Sequence, residues 1–411
     1  LCESEMKIFK QFIMNYRKGL TFGFILMALS SFGQTYFISL YGHDFRNTFS
    51  LSDGELGGAY AVGTILSAIS LTWLGRLIDY TTTRYFTIVV GFVLLVACLL
   101  VSGAQNVFML CAAFYLLRLG GQGLMVHTAL TATARQFPLN AGKALGIIAL
   151  GLSLAQAIFP MIVVNINSLI GWRLSWVINA LLLIIGLGFA LNSLPCEKEK
   201  PLRSFKVKAS EGVEEKSIWR DRNLTLALPV ILASPFITTG FFFHQIRLSQ
   251  ENNWQLSWVA IWFIAYAITQ AISLVFFGPI IDRLTPRRIL PWYLVPLGAA
   301  MFSIWISSSE WVVPFYLIMI GVSSAIASTL STALWVQLFG PKQLARVRSA
   351  VEAGTVLASG ISPMIMGMLI DNNVTLKMQS LGCLIYIILA SILATKVRIN
   401  NNEDLHTCSL R

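Results

Sequence analysis

The chain has 411 residues, 56% apolar and 12% charged, with a formal net charge of +11 and a mean hydropathy of +0.70. No water-soluble domain of this length needs so much apolar surface for one core, so most of the chain must sit in lipid. The positive charge does not indicate nucleic acid, because the basic residues lie in short loops between apolar runs rather than on one polar domain.

In chain order, runs long enough to cross a bilayer fall at 19–42, 56–75, 85–103, 106–132, 144–166, 173–194, 223–246, 256–280, 289–308, 311–337, 348–370 and 374–395. The first follows Arg17-Lys18, is longer than a signal-peptide core and lacks a small-residue cleavage site, so it reads as an uncleaved span. Twelve spans place both termini on one side. With the N-terminus in the cytoplasm, all but five of the 30 Lys and Arg lie inside, the exceptions being Arg46, Arg118, Arg173, Arg247 and Lys377. The expected topology is a multi-pass protein of a bacterial inner membrane with both termini cytoplasmic. The six cysteines, Cys2, Cys98, Cys111, Cys196, Cys383 and Cys408, show no CxxC pair or metal spacing. Neither a disulfide framework, a metal site nor a cofactor is expected.

The chain repeats itself. Residues 68–84, AISLTWLGRLIDYTTTR, align without a gap to 271–287, AISLVFFGPIIDRLTPR, sharing nine of seventeen positions at an offset of 203. The same offset carries Ser31 to Ser234, Thr35 to Thr238, Gly151 to Gly354, Ala155 to Ala358 and Pro160 to Pro363. Spans two and eight then run in the same direction, so the halves are parallel repeats about an axis along the membrane normal. This predicts an all-α polytopic protein of two six-helix bundles, 1–194 and 223–411, joined by a polar cytoplasmic linker at 195–222 with eight Lys or Arg from 198 onward.

Each repeated block ends in a short turn, Gly75 to Asp79 followed by Arg84, and Gly278 to Asp282 followed by Arg287 and Arg288. A glycine lets helices approach closely, while the aspartate can face a helix N-terminus and the arginine a carboxylate or helix C-terminus. Such a latch stabilises one of two arrangements of the halves. Twelve spans, a central cytoplasmic loop and GxLaDRxGRR-like loops after spans two and eight resemble the major facilitator superfamily over nearly the whole chain. The loops depart from the pattern at Tyr80, Thr82, Thr285, Pro279 and Pro286. The resemblance implies a secondary transporter working by alternating access, not an enzyme. It also implies that the first helix of each half lines the path.

In span four, Arg118-Leu-Gly-Gly-Gln-Gly123 is similar to the RxxGQG-type stretch of bacterial monocarboxylate and organic-anion carriers. An ionised arginine near mid-span costs at least about 2.5–3.5 kcal/mol unless it meets a partner or a wet cavity. All 19 acids fall in loops, termini or span ends, so an anionic solute that brings its own charge is the leading expectation. The alternative for Arg118 is a bond to backbone carbonyls or to Gln122. At helical spacing Gln122 and Met125 share the Arg118 face and His127 does not, which makes His127 a helix-contact residue. Under the repeat offset Tyr41 corresponds to His244, a pair of polar aromatics near the outer ends of spans one and seven. With Gln34 they complete the substrate-binding candidates, and His244 can also gate by protonation. Gly151, Pro160, Gly354 and Pro363 are expected to permit packing and bending of spans five and eleven.

The function expected is therefore transport of a small organic anion by a monomer in the bilayer, with a co-transported proton left open. Efflux of a drug-like compound or siderophore is the alternative within transport, and a transport-inactive solute sensor the alternative outside it. No nucleotide-binding motif, nucleophile–base pair or metal-ligand cluster stands out.

Overall fold

A computed structural model describes Met14 and residues 16–194 and 221–397; the remainder of the linker and both chain ends lie outside the described residues. The described residues are helical, with no strand among them. Among the described residues nine helices are long and apolar enough to cross a membrane, or ten when a bent pair near the start is counted as one. That pair is α1, Arg17–Gly33 and Thr35–Phe49. It is followed by α2 (Asp53–Leu74), α3 (Thr83–Ser102) and α4 (Val107–Gln136).

The next helical run, Ala141–Ser193, has 53 residues. At about 1.5 Å per residue it is more than twice the roughly 30 Å of a bilayer core. It breaks at Gly171 (φ 77°, ψ 162°), a left-handed conformation suited to glycine. The run is thus two spans, α5 (141–170) and α6 (172–193). The second half holds α7 (Arg222–Phe243), α8 (Leu256–Leu284), α9 (Val295–Ile306), α10 (Val312–Phe339), α11 (Ala350–Asp371) and α12 (Leu376–Ala394). With α9 as a short member, the run split at Gly171 gives twelve spans.

Polar caps mark where spans begin. Ser52 and Glu55 form a reciprocal capping box at α2, with Ser52 Oγ accepting from Glu55 N at 3.1 Å. Thr82, Asn106, Asp221 and Thr375 cap α3, α4, α7 and α12. Phe92, Phe189, Phe276 and Ile392 are each more than half exposed, as expected of side chains that meet lipid.

Three spans differ from their expected form. α1 runs on to Phe49 and is broken at Gln34, where the sequence suggested one helix over 19–42. α4 contains a π-helical stretch, Arg118–Met125. α9 is only 12 residues long instead of 289–308, because Pro291 and Pro296 lack the N–H groups a longer helix needs and the chain turns at 290–294.

The start of α1 near Arg17, the end of α4 at Arg135 and the Gly75–Asp79 turn share one face, called here the latch face; the α1–α2 and α11–α12 turns share the far face. On the far side α2 and α11 meet backbone to backbone. A methyl on Gly54, Gly57 or Gly367 would lie within 3 Å of the opposite helix, so only glycine allows the halves to close this tightly.

Candidate functional site

The site begins at the break in α1. Ser30–Gly33 tightens into a 3-10 turn, Gln34 is extended (φ −84°, ψ 149°), and helix resumes at Thr35 after a 48° bend. A break within a span frees backbone carbonyls that lipid cannot satisfy. Arg118, buried at 3% exposure, answers one of them. Its Nη1 donates to Gly33 O at 3.2 Å and to Thr35 Oγ1 at 3.4 Å, and its guanidinium lies 5.2 Å from the Tyr60 ring centre. Tyr60 is itself hydrogen-bonded to Thr35 (2.6 Å). A cation at the C-terminal end of a helical segment is favourably placed, so the charge is met without a carboxylate. Arg118 Nε remains buried without a partner.

The π turns let α4 approach α1. Gly33 and Gly121 pack so closely that a methyl on either would strike the other backbone. They also move residues around α4, so the α-helical spacing that put Gln122 and Met125 on the Arg118 face does not hold across this stretch. Met125 is fully buried, and Gln122 keeps an unpartnered, buried Oε1.

A second group of residues crosses between the halves. Tyr36 of α1 packs against Phe263 of α8 (ring centres 6.1 Å apart) and lies beside Ser31 and Tyr266. Tyr266 adjoins Gln270 on α8 and Ser324 on α10, and Phe242 of α7 packs on both Phe263 and Tyr266. Ser31 Oγ and Tyr36 OH face each other with no third partner, and Thr238 Oγ1 and Ser323 Oγ are buried without hydrogen-bond partners. Buried polar atoms in native proteins are nearly always paired. Thr238 lies one turn before Phe242 on α7, and Ser323 precedes Ser324 on α10, so buried hydroxyls occur on two of the helices that border this aromatic group.

The other expected binding residues fall elsewhere. Gln34 is partly exposed at the α1 break. Tyr41 OH is bonded to Ser175 (2.7 Å) and accepts from Asn179 Nδ2 (2.9 Å), both on α6 and within one half. His244, in the turn after α7, donates from Nε2 to Pro363 O of α11 at 2.8 Å and faces Asp53 Oδ1 with Nδ1 at 3.6 Å.

On the latch face Asp79 pairs with Arg135 at the end of α4, and Arg135 also donates to Ile78 O (3.3 Å). His127 Nε2 donates to Gly75 O at 3.1 Å, a second tie from α4 to the same turn. Arg84 is exposed. Arg287 donates from Nε to Val397 O (2.8 Å), and its backbone N to Gln337 Oε1 (3.1 Å). Gly278 and Asp282 fall within α8, but their surroundings lie outside what is described. The described latch contacts thus stay within each half. Among the packing candidates, a methyl on Gly151 would strike the Phe24 carbonyl of α1, Gly354 meets only Leu232 at 3.5 Å, and Pro160 is buried inside α5.

The far face carries a polar node that sequence reasoning did not single out. Asp371 accepts from the backbone N–H groups of Asp53 (3.0 Å) and Gly54 (2.9 Å), capping α2 from the opposite half. Asp53 pairs with Arg46 and stands 4.0 Å from Arg247. Glu251 meets Arg247 at 3.5 Å and caps α12 at Leu376 N (2.8 Å); burial raises its carboxyl above the ordinary range. Gln245 donates to Tyr36 O (3.2 Å) and Ser39 Oγ (2.8 Å) across the same interface. The available signal was the Ser52-Asp-Gly-Glu55 cap signature beside the glycines at 54, 57 and 58.

The family model for the Major Facilitator Superfamily matches residues 23–247 and 241–404. The chain belongs to the major facilitator superfamily. As a member it is a multi-pass membrane transporter, not an enzyme, and its two helical halves are the superfamily's repeat. It is similar to the purine ribonucleoside efflux pump NepI of Salmonella enteritidis PT4, at 24% identity over 362 residues covering 85% of this chain and 86% of that one. The NepI protein of Salmonella typhimurium LT2 matches at the same identity and coverage. Among solved structures, a bacterial homologue of the human lysosomal transporter Spinster, inward-facing and occupied, aligns with a TM-score of 0.71 at 14% identity, covering 92% of this chain and 96% of that one. The unoccupied form of the same homologue gives 0.69. At that identity the likeness is one of fold, shared by this superfamily transporter over nearly its whole length.

Proposed function

We propose that this transporter exports an uncharged, ring-bearing solute rich in hydrogen-bonding groups, with purine ribonucleosides as the class to test first. The observation that carries this reading is the buried polar-aromatic group of Tyr36, Phe263 and Tyr266, in which rings from both halves meet neutral Ser31, Gln270 and Ser324, with no charged side chain among the described partners. Arg118 bonds the broken end of α1, which leaves less of its charge for a ligand. The similarity to NepI supports both the solute class and the direction. The distribution of Lys and Arg supports placing the latch face in the cytoplasm of a bacterial inner membrane.

A monocarboxylate or other organic anion is the second reading, favoured by the partnerless Nε of Arg118. A thermal-stability panel on purified protein separates the two. Purine ribonucleosides are expected to raise the unfolding midpoint, an effect weakened in Tyr36→Phe and Tyr266→Phe and retained in Arg118→Lys. Stabilisation by carboxylates alone, lost in Arg118→Gln, would instead establish the anion reading.

A further inference from the structure

The far-face seal joins the halves through a buried imidazole. His244 is 3% exposed and reaches across to α11, where Nε2 meets Pro363 O at 2.8 Å. A carbonyl oxygen only accepts, so Nε2 carries the hydrogen, and a neutral ring turns a bare Nδ1 lone pair toward Asp53. The 3.6 Å separation is too long for a hydrogen bond, and the same Oδ1 is already paired with Arg46. The charged groups around the ring come from every neighbouring element: Arg46 from the end of α1, Asp53 from α2, Arg247 and Glu251 from the short helix Gln245–Glu251, and Asp371 from α11. His43 lies further out, 3.2 Å from Gln250.

We infer that His244 is a proton-binding site whose occupancy opens the far face. Burial is the largest influence on the ring and pulls its imidazole down to about 4, with Arg46 acting in the same sense and the Pro363 carbonyl, Asp371 and Glu251 opposing. Parting the halves returns the ring to water, where an imidazole titrates near about 6.5. The sealed state therefore binds the proton more weakly than the open one, and by linkage acid favours opening. The seal holds in full above about pH 6.5 and weakens as pH falls toward about 4. Within that window the open-to-sealed ratio rises by up to about tenfold per pH unit. Opening also frees Asp371 from the two N–H groups at the start of α2. This inference rests on the two-half carrier architecture and not on which solute is carried.

The test is a spin-label distance measurement across the far face, with labels at Thr48→Cys and Asn372→Cys, both exposed, in the full chain lacking its native cysteines. No solute is added, so a wrong solute assignment cannot affect the outcome. In the parent the long-distance population is expected to grow between pH 7.5 and pH 5. In His244→Gln, which keeps a donor for Pro363, that growth is expected to be lost. Asp371→Asn is expected to populate the long distance already at pH 7.5. A parent distribution that does not change with pH, one that shortens in acid, or an undiminished response in His244→Gln would each overturn the inference.

Discussion

A guanidinium held by a backbone carbonyl, a threonine hydroxyl and a tyrosine face has little charge left to offer a ligand. Arg118 has that surrounding, and each contact comes from α1 or α2. Charge-assisted hydrogen bonds contribute roughly 1.5–3 kcal/mol, and a desolvated cation–π contact up to about 2. Arg118→Gln is therefore expected to destabilise the purified protein by about 2–4 kcal/mol, read as a lower unfolding midpoint. Arg118→Lys should fall between, since an ammonium cannot match the planar fork. A Gln variant as stable as the parent that fails only with anionic solutes would return Arg118 to the role of ligand.

At the scale of the helix, register equivalence and physical equivalence separate. Gly151 and Gly354 occupy the same repeat position, yet Gly151 abuts the Phe24 carbonyl while Gly354 has room beside Leu232. Gly151→Ala should cost at least about 1–3 kcal/mol through forced backbone movement, whereas Gly354→Ala should stay within about 1 kcal/mol, because a helical alanine partly offsets its small crowding. Equal losses in thermal unfolding would show that the repeat alone governs both sites. Much of the helical layout was legible from apolar length alone, including the gap between 166 and 173 where the helix breaks at Gly171; the polar caps at Ser52, Thr82 and Thr375 emerged from the structure. The α1 break and the π turns of α4 were not legible, because they depend on each other. Gly33 and Gly121 make the approach possible, and Arg118 satisfies the carbonyl that the break exposes.

For the whole molecule, the parallel repeat and the side holding most basic residues could be read from one chain. The contacts between halves could not. The 203-residue offset pairs Tyr41 with His244, but Tyr41 bonds to α6 inside its own half and His244 reaches α11 and Asp53 in the sealed interface. Charges such as Asp53, Asp371 and Arg46 sit in loop-end positions where sequence gives them no partner, and only folding brings them together. The polar-aromatic group likewise draws on α1, α7, α8 and α10, residues spread over most of the chain.

The most direct test of the functional account is solute counterflow in proteoliposomes. Vesicles loaded with unlabelled purine ribonucleoside are diluted into labelled nucleoside, and accumulation of label is followed with time. The account predicts accumulation that purine nucleosides suppress, that Tyr36→Ala and Phe263→Ala reduce at least about tenfold, and that monocarboxylates leave unchanged. Absence of nucleoside counterflow in vesicles that exchange a monocarboxylate through the same protein would contradict it.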